Sequence, residues 1–300
     1  MFGLTALLLP TAQAVLVSTW TAPQDPGSLG DAGVPSVLLS PDPVVNNDSG
    51  NPFVFTSSAN AGVTNFTDVV VLSGTQQTQL ASAGFPVVQG LNNVRGSTRK
   101  LTGPSFEQLG NIGGGPPNVT QRDATIDLFL SPDNLNDVSQ LIFETGGNGA
   151  GTSLNMNGSV MTFGVATNAA TAVTTFIDLS SIYDLSPDTD NMLHVRMAID
   201  LADDRITLSA LNLGTGLGTA NSAGFTGFDW AGGDGTGLFN INGSAGASAG
   251  GNVPANYSNF DGQFAGLDFY ASESLGSVPE PSSSLLLIAA LGGLGFRRVR

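Results

Sequence analysis

The sequence contains no cysteine and only one histidine, His194. The first absence excludes a disulfide framework and any metal or redox site that is built on thiolates. The second leaves a zinc site without the nitrogen or sulfur ligands that it needs. A Ser-His-Asp site is also disfavoured, since no Gly-x-Ser-x-Gly turn accompanies the histidine. We therefore interpret His194 as a structural residue.

Charged residues are also scarce, at 11% of the chain, against about 25% in an average soluble domain. The chain has 9 Lys and Arg against 24 Asp and Glu, which gives a formal net charge of −15. Such an acidic chain repels phosphate backbones, so we expect no nucleic-acid partner. The polar surface must consist mainly of Asn, Ser, Thr and Gly, a composition typical of exported β proteins.

The first 14 residues predict a signal peptide. An apolar run covers residues 4–9, and Ala12 and Ala14 form the small-x-small pattern of a signal-peptidase site. No Lys or Arg precedes the run, so we expect the true start to lie upstream or Met1 to be wrongly assigned. Cleavage is expected after Ala14.

The last 24 residues, 277–300, combine a Pro-rich segment, an apolar run over residues 285–296 and a cationic end. A helix over that run would measure about 18 Å, shorter than the hydrocarbon core of about 30 Å. The arginines would remain on the cytoplasmic side. The tail thus predicts a short transmembrane helix that suits temporary anchoring. The residues that define it are Val278, Pro279, Glu280, Pro281, Arg297, Arg298 and Arg300.

This order of elements resembles the PEP-CTERM sorting signal of Gram-negative bacteria. The resemblance implies that a membrane-embedded exosortase recognises the Pro-Glu-Pro element and removes the helix. The protein would then be anchored briefly in the inner membrane before it reaches the cell surface or the extracellular matrix. The resemblance gives a destination and a processing partner but no activity.

Residues 15–276 predict an all-β body. Short segments with strand patterning alternate with turn formers, and no segment outside the tail shows sustained helical periodicity. Many short strands of this kind indicate an antiparallel β-sandwich or jelly roll. A Gly-Pro break at residues 113–118 fits either a long loop or a domain boundary. The predicted strands cover residues 34–39, 53–56, 68–72, 85–88, 124–130, 140–145, 154–156, 159–165, 173–179, 194–200, 205–211 and 262–271.

From Ala124 onward the order of segments is similar to the LamG-like, concanavalin-type jelly roll. The features are a strand that ends in a Phe-containing run, a hairpin over residues 194–211 with an Asp-rich turn, and a closing segment at residues 260–268. The resemblance implies carbohydrate binding, and hydrolysis in some members. Glycosidases need two carboxylates about 5–9 Å apart. None of the four glutamates has a second acid at suitable spacing, which disfavours this activity.

Two loops carry candidate binding residues. Asp184, Asp188 and Asp190 can offer several oxygens to Ca²⁺, although the same loop can simply be solvated. A Gly-rich loop over residues 228–251 contains Trp230, which can stack on a sugar ring or pack beneath the loop. Candidate glycan contacts are Trp230, Asp229, Asp234, Asn240 and Tyr257.

The sequence thus predicts an exported, exosortase-sorted surface or matrix protein that is non-catalytic and either binds glycans or adheres to exopolysaccharide. Two alternatives remain open. The first is a carbohydrate-active enzyme on a concanavalin-like fold, and the second is a structural matrix component without a ligand.

Overall fold

The computed structural model of the protein describes a set of segments that form one β-rich body. Several predicted features lie outside them: both ends of the chain, the strand at residues 34–39 and the break at residues 113–118. The described residues are 15–21, 56–58, 69–93, 100–103, 123–133, 135, 139–147, 150–166, 172–183, 190–225, 236–238 and 257–271.

The described residues form sixteen strands and one α-helix, α1, at Gly74–Ser82. The strands, in chain order, are β1 (Val15–Thr21), β2 (Thr56–Ser58), β3 (Val69–Val71), β4 (Gln89–Asn93), β5 (Lys100–Gly103), β6 (Ala124–Pro132), β7 (Gln140–Gly147), β8 (Ala150–Asn157), β9 (Val160–Ala166), β10 (Ala172–Asp178), β11 (Leu193–Asp200), β12 (Arg205–Asn212), β13 (Gly218–Gly224), β14 (Thr236–Leu238), β15 (Ser258–Asn259) and β16 (Gly262–Ala271).

These strands form two sheets of eight strands each. The first sheet has the order β13-β12-β11-β6-β16-β4-β3, and β1 also pairs with β16. The second sheet has the order β10-β9-β8-β7-β14-β5-β2, and β15 also pairs with β7. All pairs among the described strands are antiparallel except the short β15–β7 pair. The predicted antiparallel β-sandwich is confirmed.

One main core lies between the two sheets, because alternate residues of each strand point inward. The first sheet contributes Leu128 and Val195, and the second contributes Phe143, Leu154 and Phe163, all of them fully buried. Burial of each such side chain contributes about 1.5–3 kcal/mol. This core therefore accounts for how the body is held together without disulfides.

Strand β6 is longer and more buried than predicted. The sequence pattern indicated a half-buried strand that ends before Ser131, whereas β6 runs to Pro132 with every residue buried. The reason is a second, smaller apolar cluster on the outer face of the first sheet. Phe129 packs there with Leu80, Phe85 and Met192.

Helix α1 packs over that outer cluster. The sequence pattern did not predict this helix. Its only buried residues are Gln76 and Leu80, which give no apolar stripe. The helix begins with a capping box, in which Ser73 and Gln76 each accept a hydrogen bond from the other's backbone N–H. It ends in a Schellman motif at Gly84, where φ is 84° and the Phe85 N–H donates to the Leu80 oxygen at 2.9 Å.

Three loops differ from the predictions in position. Residues 85–88 form no strand, and β4 begins only at Gln89. The strands predicted at residues 154–156 and 159–165 do form a hairpin, β8–β9. Asn157 pairs with Val160, however, so the two turn residues are Gly158 and Ser159. Strand β14 lies inside the segment predicted to be a Gly-rich loop, where it pairs with β5 and β7. The four-residue turn between β11 and β12 is confirmed.

Within the described segments, no helix is both long and apolar enough to cross a membrane. The predicted helix at residues 285–296 lies outside those segments.

Gly262, the first residue of β16, should tolerate no side chain. Its φ is 146°, and an added Cβ would overlap the backbone oxygen of Ser131. We expect Gly262→Ala to lower the free energy of unfolding by at least about 2 kcal/mol, measured by urea denaturation. Gly74→Ala is the matched control, because a Cβ there meets nothing within 4 Å. Equal midpoints for the two variants would contradict the packing described here.

Candidate functional site

The outer face of the first sheet carries a buried ion pair. Strands β6 and β11 are neighbours, and their register places Asp127 opposite Arg196. Arg196 donates from Nε to Asp127 Oδ1 and from Nη2 to Asp127 Oδ2, both at 2.7 Å. The Asp127 side chain is only 3% exposed. This two-point geometry makes the pair one of the stronger ionic contacts that a protein can form.

The pair remains charged although it is removed from water. Burial alone would raise the pKa of Asp127, but the hydrogen bonds from Arg196 and the proximity of the His194 ring outweigh it. The net effect lowers the pKa of Asp127 below its ordinary 3.8. Burial likewise opposes the charge on Arg196, yet Asp127 raises the pKa of the guanidinium above its ordinary value. Because the two charges compensate each other, neither Asp127 nor Arg196 is available as an acid or a base.

His194 packs between this ion pair and the outer apolar cluster. Its ring stacks on Phe129 with centroids 4.7 Å apart, and Phe129 stacks on Phe85 at 4.2 Å. The Nε2 atom lies 3.0 Å from Asp127 Oδ2. The two atoms are close, but His194 Nε2 makes no hydrogen bond. The stack joins the strand pair to the segment that follows α1, a packing role for the histidine.

The neighbouring strand β16 adds two polar residues, Asp268 and Tyr270, to the same face. Burial first, and then the negative charge of Asp268, raise the pKa of Tyr270. The tyrosine hydroxyl therefore stays protonated at neutral pH. On this face, neighbouring groups therefore favour the ionised forms of Asp127 and Arg196 and the protonated form of Tyr270.

The structure describes only two of the predicted binding residues. Tyr257 is half-buried and directly precedes β15, and Asp190 is exposed shortly before β11. In the described part of the chain, no group of three His, Cys, Asp or Glu residues is placed to hold a metal ion. The other predicted contacts, Asp184, Asp188, Asp229, Trp230, Asp234 and Asn240, lie outside the described residues.

The outer face of the second sheet presents two cross-strand rows that the sequence analysis did not single out. In the upper row, Glu144, Ser153, Gly164 and Thr174 lie side by side on β7 to β10. In the lower row, Asn155, Thr162 and Phe176 lie side by side on β8 to β10. Burial falls from one side to the other, because Glu144 is fully buried and Phe176 is 58% exposed. We call these seven residues the second-sheet face.

The signal for this face was present in the alternation of β10. Val173, Thr175 and Ile177 are the more buried positions, and the residues between them point outward. Phe176 occupies one of the outward positions, which polar residues normally fill. A large apolar side chain there is an exception that period-two analysis can detect.

The second-sheet face does not present a glycosidase pair on β7 to β10. Glu144 is on β7, and the other outward acid on these strands is Asp178, at the end of β10. Three interstrand spacings alone separate them by about 14 Å. Retaining and inverting glycosidases place their carboxylates within about 5–9.5 Å of each other.

A family comparison identifies the end of the chain. Residues 277–300 match the PEP-CTERM protein-sorting motif, as the sequence predicted. The motif indicates an exported protein of a Gram-negative bacterium that an exosortase processes. No functionally curated protein matches the sequence.

Solved structures similar to the body are β-sandwich binding domains. One is the binding domain of botulinum neurotoxin DC in complex with rat synaptotagmin II, with a TM-score of 0.50, 11% identity, and coverage of 92% of this chain and 51% of that chain. Another comes from work on botulinum neurotoxin type C, whose cell entry depends on two ganglioside molecules, with a TM-score of 0.50, 11% identity, and coverage of 91% and 51%. This chain therefore spans about half of these neighbours. At such identity the likeness shows the fold alone.

Removing the carboxylate of Asp127 should leave the buried charge of Arg196 without its two-point partner. We expect Asp127→Asn to lower the free energy of unfolding by about 3–5 kcal/mol, measured by urea denaturation at pH 7. Asp203→Asn is the control, since Asp203 contacts Arg205 at 3.3 Å with its side chain 66% exposed. Exposed pairs contribute under about 1 kcal/mol. Similar losses in both variants would refute a special role for the buried pair.

Proposed function

We propose that this protein is an exported, exosortase-sorted surface or matrix protein whose β-sandwich binds glycans and performs no catalysis. The observation that carries the proposal is the sorting motif at residues 277–300. That motif directs a protein out of the cell, and the body attached to it is a β-sandwich. A sandwich delivered to the cell surface is well suited to contact extracellular polymers.

The two ends of the chain have separate tasks in this proposal. The signal peptide starts export and is removed after Ala14. The short helix at residues 285–296 then holds the protein in the inner membrane, and Arg297, Arg298 and Arg300 remain on the cytoplasmic side. Exosortase acts at the Pro279–Pro281 element and passes the body to the surface or matrix.

Binding is favoured over catalysis by the kind of residues found in the described body. The buried charges at Asp127 and Arg196 neutralise each other at 2.7 Å, and Glu144 has no second acid at a catalytic separation on β7 to β10. The similar neurotoxin structures include a binding domain in complex with synaptotagmin II, and one from work on cell entry that depends on two ganglioside molecules. Enzymatic activity on a glycan remains the second candidate, and it requires an acid pair outside these strands.

The predicted glycan contact at Trp230 can be tested directly. Aromatic rings add large apolar contact area at carbohydrate-like ligands, and loss of one such ring typically costs a factor of about ten or more in affinity. We therefore expect Trp230→Ala to weaken binding of the full chain to a polysaccharide, whereas Trp230→Phe retains most of it. The measurement is affinity electrophoresis against laminarin, dextran and alginate.

Leu217→Ala serves as the control, because Leu217 is 53% exposed on the first sheet's β12–β13 loop. Unchanged affinity in Trp230→Ala would eliminate this residue as a contact. If the unaltered chain binds no polysaccharide, the glycan-binding proposal itself fails.

A further inference from the structure

We propose that the second-sheet face binds a neutral polysaccharide, with the Phe176 ring as the stacking platform and Thr162 and Asn155 as hydrogen-bonding partners. This inference rests on the proposed glycan-binding function and names a surface for it. The surface is separate in sequence from the loop that carries Trp230, so the two can be tested independently.

Phe176 is the first reason for choosing this face. Its side chain is 58% exposed, while Thr175 and Ile177 on either side are buried in the opposite direction. The backbone is fixed at this point, because Asn221 of β13 donates from Nδ2 to the Phe176 oxygen at 3.0 Å. The ring is therefore presented from an edge strand that pairs with β9 on one side and accepts this side-chain hydrogen bond on the other. A fixed aromatic surface loses little conformational entropy when a ligand stacks on it.

Asn155 is the second and independent reason. It is only 5% exposed, and it lies two strands away from Phe176 in the same cross-strand row. Its Nδ2 donates to Ser153 Oγ at 3.1 Å, but its Oδ1 has no hydrogen-bond partner. A buried acceptor without a donor costs about 1–3 kcal/mol. A sugar hydroxyl, or a water held by the sugar, would supply that donor.

The row between these two residues has a suitable shape. Thr162 lies between Asn155 and Phe176 and is half-buried, so the surface descends from the exposed ring to the buried amide. Two interstrand spacings make this row about 10 Å long, a length that a short stretch of polysaccharide can cover.

The charges determine which polysaccharide fits. Asp178 is exposed at the end of β10, and the chain has a formal net charge of −15. An acidic surface repels carboxylated or sulfated polymers. The exposed members of the face are uncharged groups, an aromatic ring and threonine hydroxyls. The ligand class is therefore a neutral polysaccharide rather than an anionic one.

The test compares the full chain with Phe176→Ala, Phe176→Tyr and Thr162→Val, using laminarin and dextran as neutral probes and alginate as the anionic probe. We expect Phe176→Ala to weaken binding to at least one neutral glucan about tenfold or more, and Phe176→Tyr to restore it. Thr162→Val, which replaces the hydroxyl by a methyl group, should give a smaller loss. Val88→Ala is the matched control, since Val88 is 48% exposed and directly precedes β4 of the other sheet.

The outcomes separate this inference from the proposed function. If the chain binds a neutral glucan and Phe176→Ala binds it equally well, the inference is overturned while glycan binding stands. If the chain binds only alginate, the inference is overturned as well. If it binds none of the three probes, both proposals fail. Thermal unfolding of each variant confirms that an altered affinity does not reflect loss of the fold.

Discussion

The burial of strand β6 on both of its faces is the constraint on which the rest of the body depends. One face supplies Ile126, Leu128 and Leu130 to the core between the sheets. The other face supplies Asp127, which needs a cationic partner, and Phe129, which needs rings to pack against. Arg196 neutralises the carboxylate through two contacts, while Phe85 and His194 stack on the two sides of the ring. Helix α1 is required because Phe129 would otherwise face water.

As a result, the outer faces of the two sheets differ: the first is covered by α1, and the second is partly open. The first sheet uses the region around β6 to dock α1, through the apolar cluster and through hydrogen bonds such as Gln76 Nε2 to Gln263 Oε1 at 2.7 Å. The second sheet leaves β9 and β10 partly open, with exposed Phe176 and half-buried Thr162. The first outer face therefore serves stability, and the second is the surface that we propose for recognition.

The strands that the sequence predicted well are those whose pattern is strictly local. The β11–β12 hairpin followed from two alternating runs and an Asp-rich turn, and its register is regular from end to end. Helix α1 was missed because the buried Gln76 contributes hydrogen bonds instead of an apolar stripe. Its capping box and Gly84 were nevertheless visible in the sequence. Strand β14 was missed because Thr-Gly-Leu gains its strand character only from pairing with β5 and β7.

The same distinction explains what could be predicted of the candidate sites. The sorting motif was found because its chemistry is linear: Pro-Glu-Pro, an apolar run and arginines in fixed order. The second-sheet face combines residues from β7 to β10, so it becomes visible only once the strand register is known. The Asp127–Arg196 pair likewise joins residues that are 69 positions apart in sequence.

In the proposed function, this β-sandwich is delivered outside the cell after both ends of its chain are removed. The most direct test is the intact mass of the native protein in each cellular fraction, compared with a variant that lacks residues 297–300. The account predicts that the body appears outside the inner membrane without its signal peptide and without its C-terminal helix, and that the truncated variant fails to be sorted. A full-length chain held in the inner membrane would contradict the account, because the tail would then be a permanent anchor.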